Sequence, residues 1–220
     1  TFAKSTSGCG AKSSLLHKER VNDKEIRVVK GESIGQYENK GFFWFEFSDE
    51  NLTGRTRDAG KLGVKEKVLI RKTGADIIAT FDDSGVYPEQ SLYFLYGANR
   101  DTLLYLLALL NSKLINAYYR NFAVTNRDTT PQLKNIDLDK FPIRAPSDET
   151  RVHLARLAQK AIALNREIQT TLLHSDRWNS LKSELAETRK FIDNAVYDLY
   201  GLTEEERQII EAPLQDRALG

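Results

Sequence analysis

The sequence predicts an α+β fold, with a small β-rich part holding one buried helix over residues 1–146 and an antiparallel helical hairpin over residues 147–220. Three observations predict it. Short aromatic and β-branched runs separated by turn residues fill the chain up to Tyr96. Eight consecutive apolar residues, Leu103 to Leu110, then describe a helix covered on every side. Beyond Pro146 the apolar residues fall into helical spacing.

Taken in chain order, STSGCGAKSS at residues 5–14 is rich in glycine and serine and reads as a flexible segment. GFFWFEF, residues 41–47, reads as a strand. Its alternation places Phe43, Phe45 and Phe47 on one face and Phe42, Trp44 and Glu46 on the other, and core packing is the expectation for Trp44. KVLIR at 67–71 and ADIIATF at 75–81 flank Lys72-Thr73-Gly74 as a hairpin, and SLYFLY at 91–96 follows the turn Asp82-Asp83-Ser84-Gly85. A helix N-capped by Asp101 is expected to run to about Arg120, with Asn111-Ser112-Lys113 breaking its apolar run. The stretch NFAVTNRDTTPQLKNIDLDKFPIRAP has little periodicity and reads as a long loop, the kind of segment on which binding residues are carried.

The second part is more regular. Leu154, Leu157, Ala161, Leu164 and Ile168 form one apolar seam, and Leu181, Leu185, Ile192, Val196 and Leu199 a rougher one. The polar stretch HSDRWNS, residues 174–180, lets the two helices fold back on each other. Gly201 closes the second helix, and Thr203 with Glu206 spells a capping box for a short last one.

Composition narrows the function. The longest apolar run is far below the roughly 20 residues that a membrane span requires, no charged-then-apolar leader opens the sequence, and the expectation is a soluble, cytoplasmic protein. The single cysteine, Cys9, excludes an internal disulfide, and the histidines at 17, 153 and 174 lack metal-ligand spacing. A start at Thr1 and the absence of methionine point either to a fragment of a longer chain or to the loss of modified methionines from the sequence. The net charge is only +1, yet residues 51–72 hold seven basic and two acidic side chains, a density that suits phosphate as well as it suits a solvated loop.

Catalytic motifs fail on detail. In STSGCGAKSS, Ala11 separates Gly10 from Lys12 and no apolar strand precedes, so the backbone wrap of a phosphate loop is not encoded. Asp23 with Glu38 and Lys40 has the outline of a nuclease metal site, but Gln36, Tyr37 and Asn39 surround Glu38 where a buried strand is needed, and a surface turn is the better account. Spacing alone gives no active site.

A resemblance covers most of the chain. EKVLIRKTGADIIATFDDSGVYPEQSLYFLY, then YLLALLNSKLINAYYR, then PQLKNIDLDKFPI, is similar to the C-terminal specificity domain of TaqI-like adenine-N6 DNA methyltransferases, found in type IIG restriction-modification enzymes. VVKGESIGQY at 28–37 resembles the lead-in to that domain and VYDLYGLTEEERQIIE at 196–211 its ending. The Asn-Pro-Pro-Tyr loop that grips a flipped adenine and the glycine-rich loop for S-adenosylmethionine are both missing. The resemblance therefore implies a target-recognition domain for double-stranded DNA with no cofactor of its own. It places S-adenosylmethionine and catalysis in an N-terminal methyltransferase domain of the same parent.

Under that implication, side chains that present paired donors or acceptors to base edges are sought first. Asn126, Arg127 and Thr129, in the loop after the helix, and Arg71, Lys72 and Thr73, at the hairpin tip, supply them. Arg55, Arg57 and Lys61 are expected to meet the phosphate backbone, as are Lys113 and Arg120, while Asn111 and Ser112 tie down neighbouring main chain. The alternative from another class is a helical interaction module that docks a partner subunit without touching DNA.

Overall fold

The computed structural model describes residues 2–123 and 131–212. Its strands are β1 (Lys4–Ser7), β2 (Cys9–Ala11), β3 (Glu25–Val29), β4 (Ile34–Gly35), β5 (Glu38–Asn39), β6 (Phe43–Glu46), β7 (Leu52–Arg55), β8 (Lys67–Arg71), β9 (Ala79–Asp82), β10 (Tyr87–Pro88) and β11 (Leu92–Tyr96). Its helices are α1 (Ala59–Leu62), α2 (Arg100–Asn111), α3 (Lys113–Tyr118), α4 (Asn135–Leu138), α5 (Asp148–Thr170), α6 (Asp176–Tyr200) and α7 (Glu204–Glu211). The fold is α+β.

Everything is arranged around one antiparallel sheet in the order β1-β11-β8-β9. Strand β8 is central and covered on both faces, which is why KVLIR reads as a continuous rather than an alternating apolar run. Val68 and Ile70 point into a core shared with α2, α5 and α6, whereas Leu69, Leu92 and Phe94 point into a second core built with three small sheets, β10-β3-β6, β2-β7 and β4-β5. The predicted hairpin is present: Lys67 pairs with Asp82 and Ile70 with Ala79.

The segment expected to be flexible is instead structured. Residues 4–7 form the edge strand β1, pairing from Lys4↔Tyr96 to Ser7↔Tyr93, and 9–11 form β2, wholly buried. Its glycines are close approaches of main chain. A Cβ at Gly8 would lie 2.3 Å from the carbonyl oxygens of Pro88 and Glu89, and one at Gly10 would lie 2.7 Å from that of Gly54.

The long helix also departs from expectation. Its N-cap is Asn99, which accepts from the Thr102 N–H, so Asp101 lies inside the first turn. It breaks at Ser112, whose extended backbone (ψ 154°) ends α2 and whose hydroxyl caps α3 by accepting from the Ile115 N–H at 3.3 Å. The reason lies in the neighbouring strand. Asn111 accepts from the Ala79 N–H at 3.0 Å and donates to the Ala79 carbonyl at 2.9 Å, while Asn116 accepts from the Ile77 N–H at 2.6 Å. Two buried amides thus stitch the β9 approach to the helical layer, and the chain turns at Ser112 to bring both into reach.

Helix α5 packs against both α2 and α6, with Leu154, Ala161, Leu181, Leu185, Ile192 and Val196 buried as their spacing predicts. The reversal between the helices falls at residues 171–175, earlier than expected, because Ser175 caps α6 by accepting from the Trp178 N–H. Gly201 takes the left-handed conformation (φ 69°), and both bonds of the Thr203–Glu206 capping box are made.

Candidate functional site

The site is built on the turn between β8 and β9. Lys72 N–H donates to the Ser91 carbonyl at 3.0 Å, and the Lys72 carbonyl accepts from the Leu133 N–H at 2.8 Å. Thr73 pairs with Gln132, and Gly74 N–H, in a left-handed conformation (φ 150°), donates to the Pro131 carbonyl at 3.0 Å. From the other side, the Tyr119 hydroxyl donates to the Gly74 carbonyl at 3.2 Å and Arg120 forms an ion pair with Asp76. The turn therefore brings Lys72, Thr73 and Arg120 together with the residues that flank positions 124–130. The expected base-reading residues Asn126, Arg127 and Thr129 lie outside the described residues.

Beside the turn, the Lys72 ammonium donates to the Ser7 hydroxyl at 2.6 Å and sits 4.3 Å from the centre of the Tyr93 ring. Thr56 donates to the Ser7 carbonyl at 2.5 Å, and the Thr6 and Thr56 hydroxyls are 3.3 Å apart. Burial, reinforced by the positive charge of Arg55 and opposed by Glu89, pushes the Lys72 ammonium down to about 8. Arg55 is held at φ 66°, a conformation that costs a non-glycine residue energy. Among the described residues, neither Lys72 nor Arg55 forms an ion pair. Lys72 thus stands among three hydroxyls, with the positive charge of Arg55 and the negative charge of Glu89 both acting on it and no ion pair formed by either cation among the described residues.

The remaining basic candidates are disposed differently. Arg57 is paired with Asp49 at 2.6 Å and Lys61 with Asp58 at 3.1 Å, each anchoring its own loop. Lys113 is paired with Glu211 at 3.1 Å across to α7. Arg71 is half-buried, its Cγ packed 3.3 Å from where a Cβ on Gly31 would stand, and it forms no ion pair among the described residues. Lys67, counted in the basic run of the sequence, is no surface charge: it is buried with Asp82 at 2.9 Å and donates to the Val64 carbonyl at 2.6 Å. The density of the run overstates its exposed charge.

Trp44 also departs from its expected place. Phe45 is the core residue, whereas Trp44 is half-buried on the outer face of β6, edge-on to the exposed Phe42 at 5.5 Å with the Arg20 guanidinium 5.2 Å over its ring. The β10-β3-β6 sheet packs on one side only, so its other face keeps its aromatics in partial contact with water. Asp23 pairs with Arg20 and Glu38 with Lys40, and no group of metal-ligating side chains stands together among the described residues. No helix among them is long and apolar enough to cross a membrane. Sequence reasoning missed Ser7, Thr56 and Tyr93, which carry no motif: the β1-β11-β8 pairing brings Ser7 and Tyr93 beside Lys72, and Thr56 joins them through its bond to the Ser7 carbonyl.

These features describe an α+β module with Lys72 and Arg120 at the turn of its central hairpin. Residues 26–143, more than half of the chain, match the TaqI-like C-terminal specificity domain, and the chain belongs to that family. Among solved structures, its fold is similar to that of the type IIL restriction-modification enzyme MmeI in complex with DNA, with a TM-score of 0.65 and 13% identity over 97% of this chain and 33% of that one. The type IIG restriction endonuclease BpuSI aligns with a TM-score of 0.47 and 11% identity over 91% of this chain and 31% of that one. The chain thus spans about a third of the length of these enzymes. No curated protein matches it by sequence.

Proposed function

We propose that the chain is the part of a restriction-modification enzyme that reads the target sequence in duplex DNA. The observation that carries this reading is that Lys72, Arg120 and both flanks of residues 124–130 meet at one turn, with Lys72 forming no ion pair among the described residues. A phosphodiester oxygen adds negative charge beside these cations and accepts from the Ser7 hydroxyl, which itself accepts from the Lys72 ammonium. Family membership and the fold shared with an enzyme solved on DNA support the same reading.

In this reading Arg71, Thr73, Asn126, Arg127 and Thr129 meet base edges from the turn and the stretch beside it, and Arg55, Lys72 and Arg120 fix the register on the backbone. Arg57, Lys61 and Lys113, held by carboxylates of their own, contribute less. Residues 1–146 act as the reader and 147–220 as its helical support. The methyl transfer, to the N6 of an adenine flipped out of the duplex, belongs to an N-terminal domain outside this chain that binds S-adenosylmethionine, and the enzyme works in the cytoplasm.

Titration of a labelled duplex at salt concentrations between about 50 and 200 mM tests the reading, since each phosphate contact adds close to one to the slope of log affinity against log salt. Steep salt dependence with Lys72→Ala lowering the slope is expected. The competing reading, a helical module that docks a partner subunit, draws on the exposed Phe191 and Ile209 of α6 and α7, and it requires that no duplex binds even at low salt.

A further inference from the structure

The helical support carries cations of its own that the family match, which ends at residue 143, does not include. Between α3, the β8–β9 turn and α6 lies a cleft of about 370 Å³, bordered by Gln36, Asp76, Lys113, Arg120, Arg189 and Lys190. Arg189 stands out among them. Its Nε is buried with no hydrogen-bond partner, one Nη donates to the Gln36 carbonyl at 3.3 Å, and the guanidinium lies 5.9 Å from the Tyr37 ring centre. Neither Arg189 nor its exposed neighbour Lys190 forms an ion pair among the described residues. A buried donor left without an acceptor is costly, and a planar guanidinium with a spare N–H suits the oxygens of a phosphate.

We propose that this cleft is a second phosphate seat, with Arg189 as its principal ligand and Lys190 at its rim, so that α6 takes part in gripping nucleic acid. The proposal rests on the duplex-DNA reading and extends the contact surface from the hairpin turn onto the C-terminal hairpin. Arg120 and Asp76 belong to both places, since their ion pair closes the turn on one side and borders the cleft on the other. Four cations border the cleft against Asp76 and Asp193; Asp76 is engaged by Arg120, Asp193 accepts from the Lys113 N–H at 2.8 Å and lies within the field of Arg189, and the Lys113 ammonium is held by Glu211 outside the cleft. Both of those pairs are partly exposed to solvent, where ion pairs are weak, and a phosphate competes with them on even terms. The ligand is a phosphodiester of the backbone flanking the bases being read.

The test compares the unmodified 220-residue chain with Arg189→Gln, Lys190→Gln and the pair combined, by duplex titration against salt, with the melting temperature followed in parallel. Each cation removed is expected to lessen the salt slope by about one, and Arg189→Lys to retain most of it. In the unmodified chain, the Nε–H resonance of Arg189 is expected to shift when duplex is added, a readout that no loss of folding in a variant disturbs. If duplex binds steeply and Lys72→Ala lowers the slope while the Arg189 and Lys190 variants and the resonance do not respond, this inference is wrong and the recognition reading stands. If the unmodified chain binds no duplex at low salt, both fall. A shift of the resonance with inorganic phosphate but not with duplex would also overturn it, by making the cleft a seat for a free anion.

Discussion

Two lysines near the ends of one hairpin show how the same residue is put to different uses. Lys67, at the start of β8, and Lys72, just past its end, are both shielded from water, and burial makes both ammonium groups easier to deprotonate. Lys67 is answered by Asp82, which also accepts from the Ser84 and Gly85 N–H groups and the Ser84 hydroxyl. Lys72 has a serine as its hydrogen-bond partner, Arg55 and Glu89 acting on it only through their fields, and no ion pair among the described residues. A closed charge account marks a residue that holds the fold, and an open one marks a residue waiting for a partner.

The contrast can be broken most severely at the closed end. Asp82→Ala leaves Lys67 buried without its counter-ion, and denaturant unfolding is expected to register a loss of about 3–5 kcal/mol. A smaller loss would mean that Lys67 escapes to solvent or sheds its proton. Next in size is Asn111→Ala, which strands the N–H of Ala79 in the core while its carbonyl keeps the bond from the Tyr37 N–H; with a buried group left unpaired costing about 1–3 kcal/mol, a loss of about 2 kcal/mol is expected in the same measurement.

At the open end the effects move from stability to binding. Lys72→Ala is expected to leave the unfolding midpoint within about 0.5 kcal/mol of the parent and to weaken duplex binding about tenfold. Equal losses in both would assign Lys72 to the fold. The subtlest difference is in pH. Because phosphate holds the charged form, duplex affinity is expected to fall as pH rises from 7 to 9 through the folded Lys72 value of about 8, and Lys72→Arg to flatten the profile. Folding responds with the opposite sign. Between about 8 and the ordinary lysine value of 10.5 the unfolded chain binds more protons, so this group makes the fold more stable as pH rises across that window.

How much of this the letters carried depends on where each residue's partners are. KVLIR, the seams of α5 and α6 and the Thr203–Glu206 box are local patterns, and each gave its element. The break at Ser112 was visible as an interruption, but its cause was not, because Asn111 and Asn116 find Ala79 and Ile77 more than thirty positions upstream. β1 and β2 were illegible for a different reason: short, polar and glycine-bearing, they are strands because β11 and β7 pair with them. The site suffered most. Lys72 was named from its place in a hairpin, whereas Ser7, which completes its setting, is 65 residues away in a segment with no pattern. Trp44 was misjudged because alternation tells which residues share a face and says nothing of which face is covered.

The fastenings at the hairpin turn are made largely by main-chain atoms: the N–H and carbonyl of Gly74, the carbonyl of Lys72, the carbonyl of Pro131 and the N–H of Leu133. Such couplings are indifferent to the letters strung between them. Under the proposed reading, exchanging positions 124–130 is expected to change which duplex is preferred while the melting temperature stays near that of the parent, since the bonds on either side are made by residues outside the exchange.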